Sequence, residues 1–168
     1  MKRALLSLAL LAGLAAVAAA VALSVSAFAV EQPLAFNHRV HVEDVGAECT
    51  DCHLYAHTGV RATIPNWRLC ADCHAEPLGE SAEEARLVEY IEATDPIPWR
   101  KVYWVPDHVY FSHRRHTAIA GIECETCHRN VGEQSKPLTR PLRRVSMDDC
   151  MDCHGEGGVS NDCVACHR

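Results

Sequence analysis

All ten cysteines of the chain belong to one motif that occurs five times. The copies are Cys49-Thr-Asp-Cys52-His53, Cys70-Ala-Asp-Cys73-His74, Cys124-Glu-Thr-Cys127-His128, Cys150-Met-Asp-Cys153-His154 and Cys163-Val-Ala-Cys166-His167. Each reads C-x-x-C-H, the spacing that attaches c-type haem. Two thiols add to the two vinyl groups of one porphyrin, and the residue that follows sets its imidazole under the iron as proximal ligand. Three other uses of paired cysteines compete. Disulfides would consume ten cysteines, but give no reason for a histidine after every second one. Zinc ribbons use C-x-x-C pairs without demanding that histidine five times. A thioredoxin-type redox pair needs one C-x-x-C in a βαβ context, not five. The sequence therefore points to five covalently bound haem c groups, with iron held by His53, His74, His128, His154 and His167.

Six histidines remain: His38, His41, His57, His108, His113 and His116. Five six-coordinate irons need five distal ligands, so the supply exceeds the need by one. Met147 and Met151, the methionines beyond the leader, lie beside the fourth motif, and the spare histidines make Met ligation unneeded. Bis-His ligation keeps the potential lower than His/Met ligation would. An internal repeat sharpens the assignment. Phe36-Asn-His38-Arg-Val-His41 precedes Cys49, and Phe111-Ser-His113-Arg-Arg-His116 precedes Cys124, in both cases with 13 positions from Phe to Cys and a glycine (Gly46, Gly121) three before it. Histidines three apart project from nearly one side of a helical turn, yet can reach two closely stacked haems.

The pattern F-x-H-x-x-H followed by C-x-x-C-H resembles the class III cytochromes c, the cytochrome c3/c7 family, over roughly residues 36–74 and 108–168. The resemblance implies that His38 serves the haem of the first motif and His113 that of the third. His41 and His116 would cross to other haems. The fifth distal ligand is His108 or His57. His108 is preferred because Pro106-Asp-His108-Val-Tyr-Phe-Ser-His113 pins it beside the second histidine pair. His57 lies four residues after His53, and Leu54 stands where the four-haem relatives place a ligand. Five haems and a long insert between the second and third motifs also depart from the four-haem pattern. Ile97-Pro-Trp-Arg with Val105-Pro-Asp-His-Val-Tyr-Phe-Ser-His is similar to the pentahaem subunit of alternative complex III-type quinol complexes.

The elements that position these groups read as mainly α with low secondary-structure content. About 139 residues beyond the leader leave roughly 28 per haem, too few for an ordinary side-chain core, so the expectation is a haem-packed core. Residues 31–168 form a pentahaem domain: a two-haem half (31–78), a linker with a helix (79–107) and a three-haem half (108–168). Residues 81–94 read as that helix, with Ser81-Ala-Glu-Glu84 as a capping box, Leu87, Val88 and Ile91 as an apolar stripe, and Pro96 ending it. It reads as a solvated helix covering the second haem in preference to an acidic docking face. Residues 101–111 alternate around Pro106-Asp107 and suggest a short β-hairpin. The loop Ser135–Arg144 carries Lys136, Arg140, Arg143 and Arg144 without an acid, fit for propionates, a partner or solvent.

Lys2 and Arg3 precede 27 uncharged residues, Ala4 to Val30. A basic start and an apolar run mean export. Ala27-Phe28-Ala29 offers a cleavage site, while the length suits an uncleaved membrane anchor. Either way, residues after 30 belong on the periplasmic side. Residues 31–100 carry 13 acids and 5 bases, and residues 101–168 carry 9 of each; the net charge of -6 disfavours a nucleic-acid partner. The function expected is electron transfer, not catalysis, between a membrane quinone-linked oxidoreductase and a soluble or terminal redox partner. The fifth motif, next to the last residue, is the expected surface port. A subunit role within a quinol-oxidising complex fits the anchor-length leader. A nitrite or sulfur-oxyanion reductase would need an open iron, and the histidine surplus argues against one.

Overall fold

The computed structural model describes residues 11–18 and 29–168, in two units, Met1–Glu31 and Gln32–Arg168. In the first unit residues 11–18 are helical. Most of the expected leader, including Ala27-Phe28 of the cleavage motif, lies outside the described residues. Among the described residues no helix is long and apolar enough to cross a membrane.

The second unit is built of short helices joined by irregular chain. The helices are α1 (Cys49–Cys52), α2 (Trp67–His74), α3 (Ala82–Ala93), α4 (Cys124–His128), α5 (Met147–Glu156) and α6 (Cys163–Cys166), with single π turns at Val40–Asp44 and Arg115–Ile119. Every C-x-x-C pair sits on a helix, which places the two sulfurs three residues apart and close to one side. Local chemistry starts these helices. Glu48 and Asp51 form a reciprocal capping box on α1, with Glu48 N–H donating to Asp51 Oδ2 at 2.8 Å. Ser146 and Asp149 do the same on α5. Asn66 Oδ1 accepts from Trp67 N–H at the start of α2 (2.7 Å) and from Ile97 N–H across the fold (3.2 Å).

The long helix falls where the sequence places it, but its cap is half of the one expected. Ser81 Oγ accepts from Glu83 N–H. Glu84 does not return to Ser81. Its carboxylate accepts instead from Leu78 N–H at 2.7 Å and meets His74 Nδ1 at 2.9 Å. Glu83 is likewise engaged, accepting from Ala35 N–H and pairing with Arg86. Helix α3 packs on α2, which carries the second motif.

The β-hairpin expected at 101–111 does not form; among the described residues there are no strands. The segment stays extended and spends its bonding capacity elsewhere. Val109 forms an isolated antiparallel bridge with His167. Tyr110 N–H donates to Cys166 O, and Arg168 N–H donates to His108 O. Pro106 cannot donate to a ladder, and the carbonyl of Asp107 is taken by the Arg168 guanidinium at 2.7 Å. The alternation pattern was real, but its partner is the fifth motif.

A side-chain core is almost missing. Among the described residues only Leu34, Ala56 and Ile97 are buried hydrophobics. Trp99 ties distant segments together, donating from Nε1 to Pro65 O and meeting Phe36 edge-on at 6.3 Å. Because Asn66 serves two backbone donors from distant segments, Asn66→Ala is expected to destabilise the haem-loaded protein by about 1–2 kcal/mol, read as a lower denaturant midpoint. An unchanged midpoint would show that these bonds carry no net stability.

Candidate functional site

The sequence repeat is a repeat in three dimensions. Phe36 meets His38 edge-on (4.8 Å, 86°) and stacks on His41 (4.5 Å, 25°). Phe111 meets His113 edge-on (4.9 Å, 85°) and stacks on His116 (4.8 Å, 24°). His41 Nδ1 lies 2.8 Å from Asn37 O, and His116 Nδ1 lies 2.8 Å from Ser112 O. Each pair rides into a π turn, which then reverses through a glycine at positive φ, Gly46 at 80° and Gly121 at 64°. That backbone region penalises any residue with a Cβ, so the glycine three before each cysteine closes the turn. One aromatic ring thus fixes two imidazoles at nearly perpendicular settings and sends them to different places.

Those places are the histidines that end the motifs. His41 lies with its ring centre 6.1 Å from that of His74. His113 faces His128 at 6.3 Å and 7°, and His116 faces His154 at 6.2 Å and 24°. His108 faces His167 at 5.5 Å and 24°. His38 lies near His53 and feels its charge. The bridge and the Arg168 contacts are what bring His108 to the fifth motif. His57 meets no motif histidine; its Nδ1 bonds Thr117 Oγ1 at 3.0 Å, and that hydroxyl also donates toward Ala56 O and His113 O. It braces the second π turn.

The ten cysteines are all unpaired. Burial pushes the thiols of Cys52, Cys70, Cys124, Cys127 and Cys150 above their ordinary range, the opposite of the activated thiolate a redox-catalytic pair uses. Their neighbours trace an order. Cys73 acts on Cys52, Cys52 acts on Cys70, and Cys49 acts on Cys124. Cys127 is beside Cys153, and Cys150 is beside Cys127 and Cys166. The motifs are therefore neighbours in the sequence two, one, three, four, five.

Residues 109–168 match the family model of cytochrome c7 and related cytochrome c, and residues 15–96 match that of the class III cytochrome C family. The chain is similar to the multihaem cytochrome c subunit of menaquinone reductase from Nitratidesulfovibrio vulgaris (strain Hildenborough). The two are 33% identical over 162 residues, which cover 82% of this chain and 77% of the relative. The chain belongs to the class III multihaem cytochromes c.

Membership in this cytochrome family implies covalently bound haem c, and the described residues fit it. Two imidazoles that share one metal through bonds of about 2 Å have ring centres roughly 6 Å apart, close to the four ring pairs above. Among the described residues no three His, Cys, Asp or Glu converge as a chelating cluster; the imidazoles come in twos, the donor set a haem iron would take from the chain. His38 Nδ1 is buried without a hydrogen-bond partner. Burial, then the charges of His53 and His41, push His38 down to about 4, so it is neutral at physiological pH, the form that binds metal. Burial likewise lowers His113 and His128.

Other side chains support the motifs without touching a histidine, and the sequence reading missed their roles. Arg143 of the basic loop holds Thr126 O in α4 and pairs with Asp149 in α5, tying the third motif to the fourth. Ser146 first, then Arg143, hold the Asp149 carboxyl well below the usual carboxylate range. A depressed native pKa contributes stability that is complete above the unfolded value of 3.8 and is lost as pH falls below it. Asp149→Asn is therefore expected to be less stable than the parent at pH 7, the difference shrinking as the medium is acidified below that value. Circular dichroism melts across pH check this; a difference that does not depend on pH would refute it.

Proposed function

We propose that this chain carries five haem c groups, each with two histidine ligands, and conducts electrons along the motif order two, one, three, four, five. The observation that carries the reading is the row itself: five C-x-x-C-H motifs in neighbour order, four of them with a second imidazole 5.5–6.3 Å from their own and the first with His38 near His53. The proposed pairs are His38 with His53, His41 with His74, His113 with His128, His116 with His154 and His108 with His167. Haem supplies the redox chemistry when bound; the chain sets position, ligand field and surroundings. Two backbone-anchored turns hold four of the distal imidazoles, and the bridge to the fifth motif holds the last. His41 and His116 each tie one motif to the next, so neighbouring sites are built as pairs. A reductase would need an iron with one histidine, and five partners for five motifs favour transfer over catalysis.

The matched relative is named as a subunit of menaquinone reductase. This supports a place for the chain beside a membrane quinone-linked oxidoreductase, with the two ends of the row as ports for that complex and for a soluble or terminal redox partner; Lys2, Arg3 and the apolar run after them support the periplasmic side. Affinity isolation of the native protein is expected to bring down such an oxidoreductase; recovery without one would overturn the partner.

The ligand set gives a sharper test. The parent is expected to contain five haems per chain, all low-spin in electron paramagnetic resonance. His108→Ala should convert one of five irons to high spin, whereas His57→Ala should convert none. A high-spin signal in the parent would revive the reductase, and a high-spin signal from His57→Ala would overturn the assignment of His108.

A further inference from the structure

Among the described residues, six histidines have a hydrogen-bond partner at Nδ1, and five of those partners are neutral. They are Asn37 O for His41, Thr63 O for His53, Thr117 Oγ1 for His57, Val60 O for His113 and Ser112 O for His116. His74 differs. Its Nδ1 lies 2.9 Å from Glu84 Oε1, with the two side chains only 20% and 13% exposed. No other described histidine pairs with a carboxylate.

The contact is held from several directions. Glu84 lies in the first turn of α3, and α3 packs on α2, where His74 is the last residue. The same Oε1 accepts from Leu78 N–H at 2.7 Å, which fixes the carboxylate over the loop between the two helices. A carboxylate cannot donate, so the imidazole proton must sit on Nδ1 and the free lone pair on Nε2. A charge-assisted bond of this kind is shorter and stronger than one to a neutral carbonyl. It shifts electron density toward the metal-facing nitrogen and raises ligand basicity, which favours the ferric over the ferrous state.

We propose that Glu84 is a positioning residue that acts through His74 to hold the reduction potential of the second-motif site down, alone among the five sites. The inference rests on the haem reading given under Proposed function. It gives one end of the row a different electronic setting from the other four. In an equilibrium titration the site that His74 serves is then reduced later than it would be with a neutral acceptor in place of Glu84.

The test uses the haem-loaded full chain. Glu84→Gln keeps a hydrogen-bond acceptor of the same size and removes the charge. Stepwise reductive titration followed optically is expected to show one of five potentials moved upward and four unmoved. One low-spin ferric signal in electron paramagnetic resonance should change its g values. Glu83→Gln removes the same charge from the neighbouring residue, which touches Ala35 and Arg86 but no histidine, and should give no selective shift. Glu84→Asp keeps the charge but shortens the reach, and should move the same potential upward by less. If Glu84→Gln fails to load five haems, Glu84→Asp alone decides. Five unmoved potentials, or equal shifts from Glu83→Gln and Glu84→Gln, would overturn the proposal. The haem count and spin state of the parent test the underlying reading separately.

Discussion

The unit Gln32–Arg168 has three buried hydrophobic side chains among its described residues and no wholly buried side chain. A domain of that length ordinarily buries about two-thirds of the surface of its unfolded chain, and it needs that burial to offset the entropy of ordering the backbone, roughly 1–2 kcal/mol per residue. The described side chains supply little of it. The organisation of the chain follows from that constraint. Helices are one to three turns long because each except α3 has only to present a C-x-x-C pair and its cap. Connections are irregular because they wrap something other than an apolar sheet or bundle. Large apolar side chains such as Trp104, Tyr110 and Val164 stand exposed. In a family that attaches haem c covalently, the porphyrin is the missing core.

Rigidity must then come from polar devices, and the structure uses them densely. Capping boxes start α1 and α5. Asn66, Thr117, Gln32 and Arg143 each bond backbone groups far away in sequence. These side chains do what close packing does elsewhere. They hold pairs of imidazoles at separations a metal can bridge. The two Phe-x-His-x-x-His turns show the economy of the arrangement: one aromatic ring, one backbone carbonyl and one glycine set two ligands at once.

How far the sequence spoke for the structure depended on the range of the interaction. The C-x-x-C-H motifs are local, so all five were legible from spacing, but the short helices that carry them were not placed by the sequence and came only with the structure. The repeat was legible because both copies keep the same residues at the same spacing, and their geometries agree closely. The helix at Ala82–Ala93 was legible from its stripe and Ser81. The role of Glu84 was not, because its partner His74 lies ten residues away across a loop, and a capping box was the nearer explanation. The hairpin at 101–111 failed for the same reason. Alternation reports an extended chain, not which chain it pairs with, and here the partner lies some sixty residues on, around Cys166 and Arg168. The pairing of His108 with His167 follows from that bridge. Spacing alone left His57 beside His108 as a candidate; the structure sets its Nδ1 on Thr117 Oγ1 instead of beside a motif histidine.

The contact order of the motifs also accounts for the uneven lengths of the connections. Sixteen residues separate the first motif from the second, 21 the third from the fourth and eight the fourth from the fifth, while 49 separate the second from the third. In the first three cases the cysteines of consecutive motifs are neighbours, and the neighbour of the third motif on its other side is Cys49 of the first. In the row so traced, the second motif stands at one end and the third lies beyond the first. The polypeptide therefore lays down its first two stations in reverse, then doubles back past both before continuing forward. Helix α3 and the extended run up to Phe111 are the return path. The long insert that sets this chain apart from a simple array of motifs is the length of tether that such a backtrack requires.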